Sequence, residues 1–383
     1  MSQSLLKAIT VSRTPLAALG ATGFLWGTFA AMVPVVKMRA EASDAVFGLA
    51  LLGSAAGGML AMYLAPALNK KLGRLALPVL GLCSLIALQL PVLVTSPLSL
   101  FPVMLVLGMV VASFDVNANL RISSLEEQHG LHLMNLNHAM FSLCFGMASL
   151  AVGAMRARGM ALEQVLPLMS VVIFAAGILT IERRGFVAED EDQSPTPDRL
   201  PWRAILLIAL MMFVAFVSEN TVETWSALFL ERELGGAPGQ GGFGPAMLGF
   251  TMAAFRLAGQ LTTERLGERR VIFWSGLIGM CGAVALSQAP TQGMALLGIA
   301  LMATGLAVIV PTATSLLGKL SHRRQRDMAI SRAWMIGFVG FFVGPTSIGY
   351  LSEHFGLRVA FLVVAGLIGL ILPAILSLPT RKD

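Results

Sequence analysis

The chain has 383 residues, 56% of them hydrophobic and only 13% charged, with a mean hydropathy of +0.78 and a formal net charge of +6. A soluble domain carries roughly 25% charged residues, so this composition excludes an ordinary soluble protein. Apolar runs recur from residue 16 to residue 378 rather than sitting at the N-terminus, which excludes a secretory signal as their cause.

Twelve apolar segments follow one another, each near the ~20 residues that cross a bilayer. They span 15–36, 45–65, 75–94, 98–120, 132–154, 163–181, 204–229, 246–263, 271–289, 293–318, 328–350 and 359–379. Connectors such as 95–97 and 290–292 are so short that successive helices must be antiparallel neighbours. With the N-terminus placed inside, the outer loops hold just Lys37, Arg39, Arg156, Arg158, Arg232 and Arg358 out of 27 basic residues. The positive-inside rule then predicts cytoplasmic termini, and the loop asymmetry accounts for the net charge without any nucleic-acid partner. The connector 182–203 is long, acidic over 189–192 and carries Pro195, Pro197 and Pro201, so it is expected to be a solvated linker. It divides the chain into a six-helix N-terminal half, 1–181, and a six-helix C-terminal half, 204–383. The halves echo each other at an offset of 194, where Leu72-Gly73 pairs with Leu266-Gly267, His138-Ala139 with Arg332-Ala333 and Gly146 with Gly340. A parallel repeat of this kind is a transporter architecture with its site at the repeat interface.

Charged and titratable groups inside lipid-compatible runs are costly and mark ion or substrate pathways. The first set lies between Gly108 and Gly153, where one apolar run ends in Asp115, Asn117 and Asn119. A charged connector is expected over 121–129, and the next run carries His138 on its first turns. Asp115 and Asn119 share a helix face one turn apart. A carboxylate held out of water can take up and release a proton, which makes Asp115 a candidate proton carrier; a fixed salt bridge or a helix cap is the alternative. In the second half Glu219 and Glu223 share a face at i, i+4, and two such close carboxylates require a proton or a cation between them. Arg256 is the natural counter-charge for Glu219, whether as a static tie between helices or as part of a site. His138 and Arg332 occupy equivalent positions in the two halves. Either faces Asp115 or an anionic group on a solute, or is a satisfied interior histidine and a snorkelling arginine respectively. Trp26 aligns with Asn220 at the same offset, and Trp225 follows Glu219 by a turn and a half; each is read as a cavity wall for a solute, Trp225 alternatively as an interfacial anchor. A Walker-type phosphate loop, a nucleophile elbow and metal-ligand spacing are all missing from the sequence, so no enzymatic activity, cofactor or metal is expected.

Twelve segments, a central linker and short basic loops after segments 2 and 8 resemble the major facilitator superfamily over nearly the whole chain. Asp115-Val-Asn-Ala-Asn119 resembles the acid-x-x-x-Asn pattern of its fucose permease branch. Asn137-His138-Ala139-Met140-Phe141-Ser142, Glu219 with Trp225-Ser226-Ala227, Arg256, and Gly344-Pro345 look more like YbjJ-like members of that neighbourhood. The resemblance implies an all-α fold of twelve transmembrane helices in two pseudo-symmetric halves, with segments 3, 6, 9 and 12 as outer supports. It also implies a monomeric secondary transporter of a bacterial inner membrane, moving a small polar solute, sugar-like or an organic ion, by alternating access. Proton coupling would run through Asp115 and Glu219, with Asn119, His138, Glu223, Trp225, Arg256, Arg332 and Trp26 toward the solute. A proton-antiport exporter, or a sensor that does not transport, is the alternative.

Overall fold

The computed structural model describes residues 2–182, 200–322 and 325–379. Most of the linker expected over 182–203 lies outside these residues. The described chain is helical, without strands: α1 Ser2–Val11, α2 Arg13–Arg39, α3 Asp44–Leu72, α4 Ala76–Ala87, α5 Pro97–His129, α6 Met134–Ala157, α7 Leu162–Leu179 and α8 Trp202–Leu228 come first. They are followed by α9 Phe243–Leu266, α10 Glu268–Ser287, α11 Gln292–Leu306, α12 Ile309–Leu320, α13 Arg326–Phe338, α14 Gly340–Gly369 and α15 Ile371–Leu376.

Ten stretches of the described chain are long and apolar enough to cross a membrane. One of them, Met328–Leu376, has 49 residues, more than twice what a bilayer needs. Gly356 breaks it, with φ +80 and ψ 161. α9 is helical throughout but is not among the ten; with it, and with the long stretch counted as two crossings, the architecture is consistent with twelve. Segment 10 is split between α11 and α12, where Pro311 cannot donate its share of the helical ladder. Shifted by 194, α2, α3, α5 and α6 fall on α8, α9, α11 with α12, and α13 with the start of α14. The repeated Leu-Gly pairs are helix ends: Gly73 and Gly267 sit at equivalent C-termini with φ +51 and +78, a region that costs glycine little.

One expectation is corrected. The charged stretch 121–129 is not a connector, because α5 continues through it to His129. Nothing in it breaks a helix, and Ile122 and Leu125 are buried along one side. Its Glu126 carboxylate instead accepts the backbone N–H of Met134 at 2.9 Å, filling an open donor at the start of α6.

The helices meet closely at one face of the molecule, the one that carries the α2–α3 and α6–α7 turns. There α3 packs on α14, α6 on α9, and α2 on α8. Glycines let the backbones touch: a Cβ on Gly48 would lie 2.6 Å from the Pro345 carbonyl, and one on Gly249 would lie 2.6 Å from the Gly146 nitrogen. Polar groups seal the same face. The buried Asp44 carboxylate receives Lys37 at 2.9 Å, Arg232 at 2.8 Å and the Ser352 hydroxyl, while Glu353 accepts the Asp44 N–H at 2.7 Å. Arg156 forks onto Glu231 at 2.6 and 3.0 Å and also reaches the Ala31 carbonyl. By contrast, α5, whose C-terminal end lies at the opposite face, packs on α2, α3, α4 and α6, whereas α12 and α13 pack on α8, α10 and α14. The helices of the two sequence halves therefore join at one face and keep their own company at the other.

Candidate functional site

α5 and α6 supply the first group. Asn119 Nδ2 donates to the Asp115 carboxylate at 3.1 Å and to the Asp115 carbonyl at 2.9 Å, as two residues one turn apart on a helix can. His138 Nε2, on the next helix, lies 3.1 Å from Asn119 Oδ1. Asp115, Asn119 and His138 thus form one hydrogen-bonded chain, with all three side chains partly buried.

α8 and α9 supply the second. Arg256 Nη2 meets Glu219 Oε1 at 2.8 Å, with the two side chains 18% and 14% exposed, so little water screens the pair. Arg256 Nη1 donates to Ser142 Oγ at 2.6 Å, and that hydroxyl donates to the His138 carbonyl at 3.0 Å. The guanidinium therefore bridges α6 of the first half and α8 of the second. Glu223 stands one turn beyond Glu219 and makes no hydrogen bond or ion pair among the described residues. Glu219, Glu223, Ser142, Phe141, Phe145, Leu248 and Met252 line a narrow pocket, partly open to solvent, with room for about one water molecule. One wall of it is the stacked pair Phe141 and Phe145, with ring centroids 6.4 Å apart.

The remaining sequence candidates lie elsewhere. Trp225 is fully enclosed and packs edge-on against Phe47 at 5.9 Å, away from the pocket. Trp26, half-buried on α2, makes an edge contact with Phe29 at 5.9 Å. Arg332 is exposed on α13 and is not brought to either group. α8 is otherwise polar inside: Ser218, Asn220, Trp225 and Ser226 each have a buried polar atom without a hydrogen-bond partner among the described residues. A second narrow pocket, partly open to solvent, lies at the open face beside the Arg121–Glu182 ion pair and is lined by Asn69, Asn117 and Thr180.

Sequence reasoning passed over Ser142, quoted as part of a motif but given no role, and the sealing groups Asp44, Arg156, Glu231, Arg232 and Glu353. A signal existed for the second set: Glu231-Arg232-Glu233 follows an apolar run directly, and Arg156 interrupts the end of another. Ser142 carried no signal, since serine is common in membrane helices.

Among the described residues no cluster of three or more His, Cys, Asp and Glu side chains is arranged to hold a metal ion. Residues 208–383 match the family model described as Major Facilitator Superfamily. An uncharacterized MFS-type transporter of Yersinia pestis is 28% identical over 345 residues, covering 90% of this chain and 89% of that one. An uncharacterized transporter of Sinorhizobium fredii, y4wD, is 26% identical over 373 residues, covering 92% and 95%. Among solved structures, the bacterial homolog to the human lysosomal transporter Spinster, inward-facing and unoccupied, aligns with a TM-score of 0.73 at 14% identity, covering 96% of both chains. The nucleoside transporter NupG aligns at 0.71 and 16% identity, covering 96% and 98%. The fold is that of the major facilitator transporters, and the C-terminal half of the sequence matches that family's model.

Proposed function

We propose that the protein is a proton-coupled symporter that carries a small polar solute by alternating access, its two six-helix halves rocking about the site between α5, α6, α8 and α9. The observation that carries this reading is a hydrogen-bonded track of charged and titratable groups in the helical interior. It runs from Asp115 through Asn119 to His138, and from Ser142, one turn further along α6, through Arg256 to Glu219. Groups of this kind in a membrane interior are costly and mark transport pathways. Asp115 and Glu219 are assigned the proton, because each is a carboxylate at one end of the track. Asn119, His138, Glu223 and Arg256 are assigned to the solute, with Trp26, Trp225 and Arg332 joining them in other conformations.

The lining of the pocket beside Glu223, which pairs carboxylates with two phenyl rings, favours a solute with both a polar and an apolar side, such as a sugar-like molecule or an organic ion, admitted when the halves move apart. The loops at the sealed face are poor in basic residues, which favours that face as the outer one and the conformation as inward-facing. The acid-x-x-x-Asn pattern and the Glu219 element keep the fucose permease and YbjJ-like neighbourhood as the branch of this reading, in a bacterial inner membrane with cytoplasmic termini. The test is uptake into proteoliposomes holding the purified protein, across a panel of sugars, carboxylates and amines. Accumulation of at least one class should depend on an imposed pH gradient. A panel without accumulation, or accumulation indifferent to the gradient, would refute the reading.

A further inference from the structure

We propose that Ser142 is the positioning residue of the site: it ties Arg256 of the second half to α6 of the first, so that the Glu219–Arg256 pair responds when the halves open and close. This rests on the alternating-access reading above.

Ser142 is 2% exposed, so water does not compete for its hydroxyl. Its single proton goes to the His138 carbonyl at 3.0 Å, which leaves only lone pairs toward α9. Arg256 Nη1 fills that position at 2.6 Å. The other arm of the guanidinium meets Glu219 at 2.8 Å within its own half. A planar fork makes such divided attachment possible, with one arm on each side of the interface.

The position of the contact gives it leverage. Hydrogen bonds between the halves at Asp44–Arg232, Asp44–Glu353, Gly48–Thr346 and Arg156–Glu231 all lie toward the sealed face. Ser142 stands 15 positions before the end of α6, roughly 22 Å from that face at 1.5 Å per residue, so its bond is the deepest of the set. The approach depends on close backbones: a Cβ on Gly249 would lie 2.7 Å from the Ser142 carbonyl oxygen. When α6 and α9 part, Arg256 loses Ser142 and keeps Glu219. The hydroxyl therefore stabilises the state sealed at this face relative to the state open there. A hydrogen bond to a charged group is worth enough to bias such an equilibrium about tenfold. The same turn of α6 also holds Asn119 and Asp115 through the His138 ring, so both carboxylate groups feel the same helix move.

The test is pulsed electron spin distance measurement on the full chain in lipid nanodiscs, in a background without Cys83, Cys144 and Cys281. One label pair, Glu41→Cys with His354→Cys, reports the sealed face; a second, Glu127→Cys with His322→Cys, reports the opposite one. Ser142→Ala should shift the sealed-to-open ratio about tenfold toward open, while Ser142→Thr, which keeps the hydroxyl, should match the parent. Arg256→Lys, whose compact ammonium cannot fork between both partners, should shift the ratio in the same direction as Ser142→Ala and serves if the alanine variant fails to fold. Parent-like distances in Ser142→Ala with only a lower melting temperature would reduce Ser142 to packing and overturn the proposal. So would a threonine variant that behaves like alanine. A parent protein fixed at one distance on both faces, at every pH tested, would instead overturn alternating access and this proposal with it.

Discussion

Arg256 shows why the chemistry of one residue in lipid has to be read from its partners. A guanidinium in this interior is tolerable only because Glu219 neutralises it and Ser142 accepts from its free arm. Removing either charge alone leaves the other poorly compensated, whereas removing both leaves neither. Glu219→Gln and Arg256→Gln should therefore each lower thermal stability and solute transport. The double variant should lose less than the sum, with a coupling of about 1–3 kcal/mol in a double-mutant cycle on unfolding. Simple additivity would mean that the pair is incidental and that Arg256 is free to meet an anionic solute. The candidates were legible as residues because charge inside an apolar run is conspicuous. Their facing was not. Periodicity set the depth of Trp225, but only packing shows that the indole turns to Phe47 and away from Glu223. The same limit hid Ser142, whose role lies wholly in the neighbour that α9 brings to it.

At the level of helices, the sequence indicated the apolar segments and the repeat well, since both depend on composition over some twenty residues. Ends and breaks were harder. The run 121–129 looked like a connector because it is charged, yet charge does not stop a helix that emerges from the membrane. Packing between helices was hidden as well, since a glycine in a membrane segment looks alike whether it meets lipid or another backbone. Gly249 and Gly366 separate the two cases. A Cβ on Gly249 would press on Gly146 and Ser142 of α6, while one on Gly366 meets nothing within 4 Å. Gly249→Ala should thus force α6 and α9 apart beside Ser142 and destabilise by about 1–3 kcal/mol. Gly366→Ala should be neutral or slightly stabilising through helix propensity. Thermal melts of the two variants check this, and equal melting temperatures would show that the α6–α9 approach can relax at no cost.

For the molecule as a whole, burial separates only the extremes, since the apolar windows of α3 and α5 are each 39% buried, below the 50% of the expected outer helix α10. The most hydropathic window of α2 is 89% buried and that of α7 only 33%, so α2 belongs to the centre and α7 to the lipid-facing rim. The sealed face joins the two halves through ion pairs and glycine contacts, while α5, α12 and α13 stay with their own halves at the other face. Orientation is open to a direct check. A cysteine at Glu127, exposed at the open face, should react with a membrane-impermeant thiol reagent in inside-out vesicles and stay unlabelled in intact cells. Labelling in intact cells would invert the topology and make the sealed face the cytoplasmic one.

The central claim is that movement of a solute and movement of a proton are one process running through the polar track. The most direct measurement is proton flux evoked by a solute in proteoliposomes loaded with a pH-sensitive dye, with no gradient imposed and with any panel member that the protein transports. The account predicts that adding the solute outside acidifies the lumen. It also predicts that Asp115→Asn abolishes this acidification while leaving solute exchange largely intact, since a neutral isostere copies the protonated acid. Solute entry with no lumenal pH change in the wild-type protein, or an unchanged proton signal in Asp115→Asn, would contradict it.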